Sequence, residues 1–230
     1  MGEWRRFAVY YAPRAESAIA RFGTAWLGWD AERGAEIEDP EIPGLPAPRS
    51  ELIAMPARYG FHATLKAPFR LAPGATPDAL DAALAELAAG LAPFLVPVQM
   101  ADLGGAAAIV ARGPVPEVDR LAGLCVRRLD PFRAPLTPAE MARRDPARLT
   151  ERQRRSLAAW GYPYVLDDFR FHLSLTGPLP AGVGAAVVAA LAAAAAPALA
   201  APMPVEDLCL FGEAASDRRF RLLARHPLRG

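Results

Sequence analysis

Apolar residues along the chain follow two periods, and the switches between them mark out a repeated order of strands and helices. Phe7 to Tyr11 is a short aromatic and β-branched run that predicts a strand, and a helical period follows from Glu16 to Trp29. From Asp30 to Pro56 the period gives way to Pro, Gly, Ala and Glu, as in a long loop beside a core. A strand over about Tyr59 to Leu71 leads to a helix ending at Leu91, where Thr76 can cap and Pro77 fits the first turn. Short strands near Phe94 to Met100 and Ala107 to Arg112 come next. The helix after Pro116 carries Val118, Leu121, Leu124, Cys125 and Leu129 on one core-facing side.

The stretch from Asp130 to Asp168 breaks this rhythm. It holds five prolines, two helical pieces and a dense set of arginines, and reads as an insertion. Beyond it the pattern resumes with a strand at Phe169 to Thr176, an alanine-rich helix over Val183 to Ala196, a strand at about Val205 to Phe211 and a last strand at Arg219 to Arg225. The order β-α-β-β has then occurred twice.

The two occurrences share residues as well as order. Phe61-His62-Ala63-Thr64-Leu65-Lys66-Ala67-Pro68 aligns without a gap on Phe171-His172-Leu173-Ser174-Leu175-Thr176-Gly177-Pro178. Each is followed by an Ala/Leu helix and by an Asp-Leu pair, Asp102-Leu103 and Asp207-Leu208. Residues two apart on a strand share a face, so His62, Thr64 and Lys66 are expected on one side and Phe61, Ala63 and Leu65 on the other. The second copy sets His172 and Ser174 against Phe171, Leu173 and Leu175. If the copies pack about a pseudo-twofold axis with polar faces inward, both imidazoles and both hydroxyls converge on one cleft. The expected organisation is a first repeat at about 57–129, an Arg/Pro-rich insertion at about 130–167 and a second repeat at about 168–230.

Composition narrows the classes. With 26 basic and 25 acidic residues the formal charge is +1, so no global field marks a generic nucleic-acid or membrane binder, and any anion must be held locally. Cys125 and Cys209 have no metal-ligand spacing, which argues against a zinc site and for a reduced, cytoplasmic protein; no cofactor is expected. The N-terminal residues show no secretory signal. The alanine-rich stretch is too short and too weakly apolar for a membrane span, and Pro197 ends it, so it is expected to be a buried helix.

Two imidazoles and two hydroxyls suit displacement at phosphorus, where the attacking and leaving oxygens lie roughly in line on opposite sides. A histidine with a pKa near 6.5 can serve as base or as acid around neutral pH, so His62 and His172 are the candidate pair. Thr64 and Ser174 can donate hydrogen bonds to non-bridging oxygens. Lys66 is the single lysine of the chain, and both a phosphate contact and a solvated strand end fit it. Of the insertion's arginines, Arg133, set among prolines, is the preferred substrate contact. Tyr162, among Trp160 and Tyr164, can stack on a base or sugar, although core packing is the better account of at least two of the three rings. Tyr10 is expected to reach the cleft from the first strand.

The paired His-x-Thr/Ser motifs, 110 positions apart, resemble the two-histidine phosphoesterase superfamily, which includes 2′,5′ RNA ligase-like proteins and cyclic nucleotide phosphodiesterases. The resemblance covers nearly the whole chain. Arg58 through Phe69, Phe132-Arg133-Ala134-Pro135-Leu136, and Trp160-Gly161-Tyr162-Pro163-Tyr164 through Phe171-His172 are similar to a branch described as phosphonate-metabolism proteins. The resemblance implies a bilobed α+β fold, a pseudo-twofold duplication with mainly antiparallel sheets lining a central cleft. It also implies metal-independent hydrolysis of a cyclic phosphodiester by His62, Thr64, His172 and Ser174, on a cyclic nucleotide or a ribosyl cyclic phosphate. Ser174 stands where many relatives have threonine, which keeps the hydroxyl. A non-catalytic module gripping an RNA or nucleotide phosphate, and a ligase-like joining of RNA ends, are the alternatives.

Overall fold

The computed structural model describes residues 4–38 and 41–230, so the reading of a missing leader at residues 1–3 lies outside the described residues. The first strand is β1 (Trp4–Tyr11), followed by α1 (Ala18–Leu27), capped by the Ser17 hydroxyl and ended by Gly28 at φ +65°. The expected loop contains a small hairpin, β2 (Trp29–Asp30) and β3 (Ala35–Glu36), and a short helix, α2 (Arg49–Ile53). The first repeat consists of β4 (Ala63–Phe69), α3 (Pro77–Ala89), β5 (Phe94–Val96), β6 (Val98–Asp102), β7 (Ala107–Ala111) and α4 (Pro116–Arg128). Thr76 caps α3 as expected. The insertion supplies α5 (Pro138–Ala142) and α6 (Glu151–Trp160). The second repeat runs through β8 (His172–Ser174), α7 (Gly184–Ala195), β9 (Met203–Val205), β10 (Asp207–Ala214) and β11 (Phe220–Pro227).

The class is α+β with antiparallel pairing, and the two halves are merged. Seven strands form one sheet in the order β11-β10-β1-β4-β8-β7-β6. The motif strands β4 and β8 are direct antiparallel neighbours, with Ala63 opposite Leu173. The short strands pair in the same sense, Leu95 opposite Pro204, so β4-β8 and β5-β9 are each an exchange between halves. The helices cross over too: α3 packs on β10 and β11, and α7 on β6 and β7. Strand β1 has no counterpart in the repeat. It sits between β4 and β10, whereas β8 touches β7 directly.

Alternation along these strands separates two faces. Phe7, Val9 and Tyr11, with Ala63, Leu65, Leu173, Leu175 and Ile109, point into the main core under the helices. Each fully buried leucine there contributes about 1.5–3 kcal/mol. The opposite face carries a smaller cluster of Ala8, Tyr10, Cys209, Phe211 and Phe220, and beside it the polar residues of the motif strands.

The alanine-rich helix is a correction: α7 buries only Val187, Leu191 and Ala195, one stripe with a period of four, and the rest of it is more open. Alanine tolerates both settings because it is the best helix former and presents little apolar area. On α4, Leu124 is only half-buried, and Ala122 and Val126 join the core face instead. Among the described residues no helix is long and apolar enough to cross a membrane.

Candidate active site

The pairing of Ala63 with Leu173 fixes the geometry of the site. One step along each strand sets His62 opposite Ser174 and Thr64 opposite His172, all four on the same face. His62 and His172 are then diagonal neighbours, a relation that spaces backbones by about 7–8 Å on adjacent strands and lets two rings converge on a group between them. These four residues line one cavity of about 670 Å³ on the open face of the sheet.

Both rings are oriented by the backbone. His62 Nδ1 lies 2.9 Å from the carbonyl of Gly60, and His172 Nδ1 lies 2.7 Å from the carbonyl of Arg170, two residues upstream in each case. A carbonyl only accepts, so each Nδ1 carries the proton and each Nε2 faces the cavity. His62 Nε2 is 3.1 Å from Thr64 Oγ1, which donates to it. Gly60 can supply its carbonyl because its φ is +76° and a Cβ there would lie 2.7 Å from that of Ala31.

The surroundings of the rings differ. Tyr10, opposite Thr64 on β1, stacks on His62 with ring centroids 3.7 Å apart. On the other side, His172 is opposite Val110. Burial lowers the His62 pKa to about 4, with the charge of His172 acting in the same direction and the Gly60 hydrogen bond opposing it. His62 is therefore neutral at pH 7. Burial likewise pushes the Tyr10 hydroxyl well above the ordinary tyrosine range.

The cavity wall is cationic. Seven arginines, Arg5, Arg6, Arg58, Arg70, Arg143, Arg144 and Arg218, line it against two carboxylates, Glu140 and Glu213, a local surplus of five in a chain whose formal charge is +1. Glu213 is fully buried and accepts from Arg6 (2.6 Å), Arg58 (2.7 Å) and Arg218 (2.8 Å). Burial alone would raise its pKa, but the guanidinium groups of Arg6 and Arg218 hold it at about 2. Glu140 receives a two-pronged hydrogen bond from Arg70, 3.0 and 2.9 Å, and sits at about 2 for that reason.

Tyr10 and Tyr162 line the cavity with the motif residues, but Lys66 and Arg133 do not. The register on β1 steps from Tyr10 opposite Thr64 to Val9 opposite Lys66, so β4 carries one extra residue. Such a bulge breaks the alternation and turns Lys66 away from the face of Thr64. Its Nζ is buried, bonded to the Val126 carbonyl at 3.1 Å and to Asp130 at 3.2 Å. Arg133 also binds Asp130, at 2.8 Å, and the carbonyl of Ala159 at 2.9 Å, tying the start of the insertion to α6. Sequence reasoning singled out neither Glu213 nor Arg5, Arg6 and Arg218 as site residues. Gly60 and Arg58 stood inside the first motif, and Thr137-Pro138-Ala139-Glu140 has the legible spacing of a capping box.

Comparison with known proteins adds relatives at several distances. The family model described as "Protein of unknown function (DUF1045)" matches residues 64–221. The ribose 1,5-bisphosphate phosphokinase PhnN of Janthinobacterium sp. (strain Marseille) is 42% identical over 176 residues, covering 76% of this chain and 39% of that protein. Its namesake from Laribacter hongkongensis (strain HLHK9) is 39% identical over 217 residues, covering 94% and 50%. The chain thus spans half or less of the length of these curated relatives. Among solved structures, E. coli LigT complexed with phosphate aligns at a TM-score of 0.44 and 15% identity, covering 100% of both chains. A structure described as a phosphoesterase aligns at 0.44 and 13%, covering 98% of this chain and 99% of that one.

Proposed function

The chain belongs to the DUF1045 family, and from that premise we propose that it is a metal-independent phosphodiesterase that opens a cyclic phosphate on a ribose ring, with His62 as base and His172 as acid. One observation carries this reading: two imidazoles on one face of paired strands, each fixed by a backbone carbonyl, each presenting Nε2 to the same cationic cavity. His62 is neutral in the free protein, so its Nε2 can take a proton from water as the water oxygen attacks phosphorus. The P–O bond to one ring oxygen breaks, and His172, protonated at Nε2, gives that oxygen its proton. A ribose phosphomonoester leaves, and the two rings return to their starting states by proton exchange with solvent.

A base with a pKa near 4 is weak. A phosphodiester anion between the rings opposes this, because a nearby negative charge favours the protonated form and draws the His62 pKa towards neutrality. As the anion binds, the Thr64 hydroxyl turns from His62 Nε2 and, with that of Ser174, donates to the non-bridging oxygens, where charge shifts in the transition state. The arginine wall supplies the local field that the near-zero net charge withholds from the rest of the surface.

The printed name of the curated relatives supports a ribose phosphate as the substrate class. Kinase activity is not proposed for this chain. It contains no G-x-x-x-x-G-K-[ST] loop, and its single lysine is bonded to Val126 and Asp130 beneath the sheet. Two buried, free cysteines are in keeping with action in the reducing cytoplasm. Incubating the purified protein with nucleoside 2′,3′-cyclic phosphates and ribosyl cyclic phosphates, with and without a chelator, tests the proposal. Turnover insensitive to chelator is expected. Salt-dependent binding of RNA ends without turnover of any member would favour the non-catalytic reading instead.

A further inference from the structure

Glu213 is the more deeply enclosed of the two cleft carboxylates, and the reaction described above gives it no role. On β10 it stands between Arg6, its partner on β1, and Phe220, its partner on β11. One carboxylate oxygen accepts from Arg6 and the other from both Arg58 and Arg218. Arg58 in turn donates to the Arg218 carbonyl at 2.8 Å. Arg218 has a φ of +64°, a left-handed conformation uncommon outside glycine, and these two bonds hold it there. One buried charge thus gathers a sheet strand, a hairpin turn and the segment that leads into the first motif.

Two routes run from this cluster to His62. The first is the main chain. Arg58 ends the short turn Pro56–Arg58, two residues before Gly60, whose carbonyl accepts from His62 Nδ1. The second is a set of rings. Arg6 lies over Phe220, 5.7 Å from its centroid, and Arg58 over Tyr59 at 5.8 Å. Tyr59 stacks on Phe220 at 5.0 Å, and Phe220 backs Tyr10 at 6.1 Å. Tyr10, Tyr59 and Phe211 then surround the His62 imidazole at centroid distances of 3.7, 6.2 and 6.3 Å. Among the described residues no aromatic ring stacks on His172.

Building on the phosphodiesterase reading, we propose that Glu213 is a positioning residue for His62 and not for His172. Through Arg58 it fixes the Gly60 carbonyl, and through Arg6 and Phe220 it fixes the rings that hold the imidazole with Nε2 towards the phosphate. Its charge is what does this. The three guanidinium groups are each a quarter to just under half exposed, and without the carboxylate between them they repel one another and swing towards water. The tautomer of an imidazole is set by the partner of its other nitrogen, so a Gly60 carbonyl free to drift no longer selects the Nδ1–H form. The base is therefore aimed by a carboxylate that makes no hydrogen bond to it.

Glu213→Gln, which keeps the shape and removes the charge, tests this with NMR of the imidazole nitrogens at pH 8. The wild type is expected to show both histidines as the Nδ1–H tautomer. In E213Q the His62 signals should become those of a mixture of tautomers, while the His172 signals stay in place. On the best cyclic phosphate, kcat should fall about 10- to 100-fold, as for a misplaced catalytic group. Unchanged His62 signals, or an equal change at both histidines, overturn the proposal, since a merely structural carboxylate would produce one or the other. Should E213Q not fold, Arg58→Ala, at a half-exposed side chain, is read in the same way: a mixture at His62 alone supports the proposal and unchanged signals overturn it. If the wild type hydrolyses no cyclic phosphate, the phosphodiesterase reading fails, and the nitrogen signals decide the role of Glu213 without it.

Discussion

The two motif strands carry the same groups in different surroundings. Each histidine donates Nδ1–H to a carbonyl two residues upstream, and each has a hydroxyl two residues downstream on its own strand. Around His172 the neighbouring strand is β7, from the first repeat, with Val110 opposite it. Around His62 the neighbour is β1, which lies outside the repeat and brings the ring of Tyr10 onto the imidazole. Duplication explains why there are two imidazoles, and the inserted strand, through Tyr10, helps to bury His62, the burial that lowers its pKa. An acid and a base that begin as symmetry mates need such a difference to divide the work.

The hardest way to break this comparison is to remove each ring in turn. His62→Gln and His172→Gln are each expected to lower kcat by about 10²–10⁴-fold, measured as initial rates on the best cyclic phosphate. An unaffected rate in either variant rejects the paired mechanism. The acidic limb of the pH profile of kcat/KM, which reports the free protein, should fall near pH 4 and belong to His62. Removing the hydroxyl partners tests the match at a smaller scale, since Thr64→Val and Ser174→Ala are expected to cost about 10²-fold each through lost donors to the phosphate.

The carbonyl partners sharpen the comparison through stability. Gly60→Ala places a side chain at φ +76° against Ala31 and is expected to destabilise by about 1–3 kcal/mol in urea unfolding. Arg170→Ala, at the matching position with ordinary backbone, should stay within about 0.5 kcal/mol. The same stability should also depend on pH. The folded His62 pKa, about 4, lies below the unfolded value of 6.5, so between these pH values the unfolded chain binds more protons. Stability should rise with pH across this window, by at most about 1.4 kcal/mol per unit from this group, and His62→Gln should flatten the slope.

Much of the site was legible because its residues are adjacent in sequence and carry their chemistry with them. The gapless repeat located His62, Thr64, His172 and Ser174, and strand alternation placed them on one face. Alternation failed two residues later at Lys66, because a bulge is set by pairing with β1 and leaves no mark in the local pattern. Arg133 stood out in sequence for its prolines, yet Asp130 claims it. The exchange of hairpins between halves was not legible either, since it consists wholly of long-range contacts. Glu213, one carboxylate within an ordinary-looking strand, becomes conspicuous only when Arg6 and Arg58, distant in sequence, join the nearby Arg218 around it.

A crystal structure with vanadate, whose trigonal form imitates phosphorus in the act of displacement, tests the central claim most directly. The account predicts one vanadate in the cleft, with His62 Nε2 and His172 Nε2 each at hydrogen-bond distance, about 3 Å, from opposite apical oxygens. A vanadate that touches only one imidazole, or binds away from both motif strands, contradicts it.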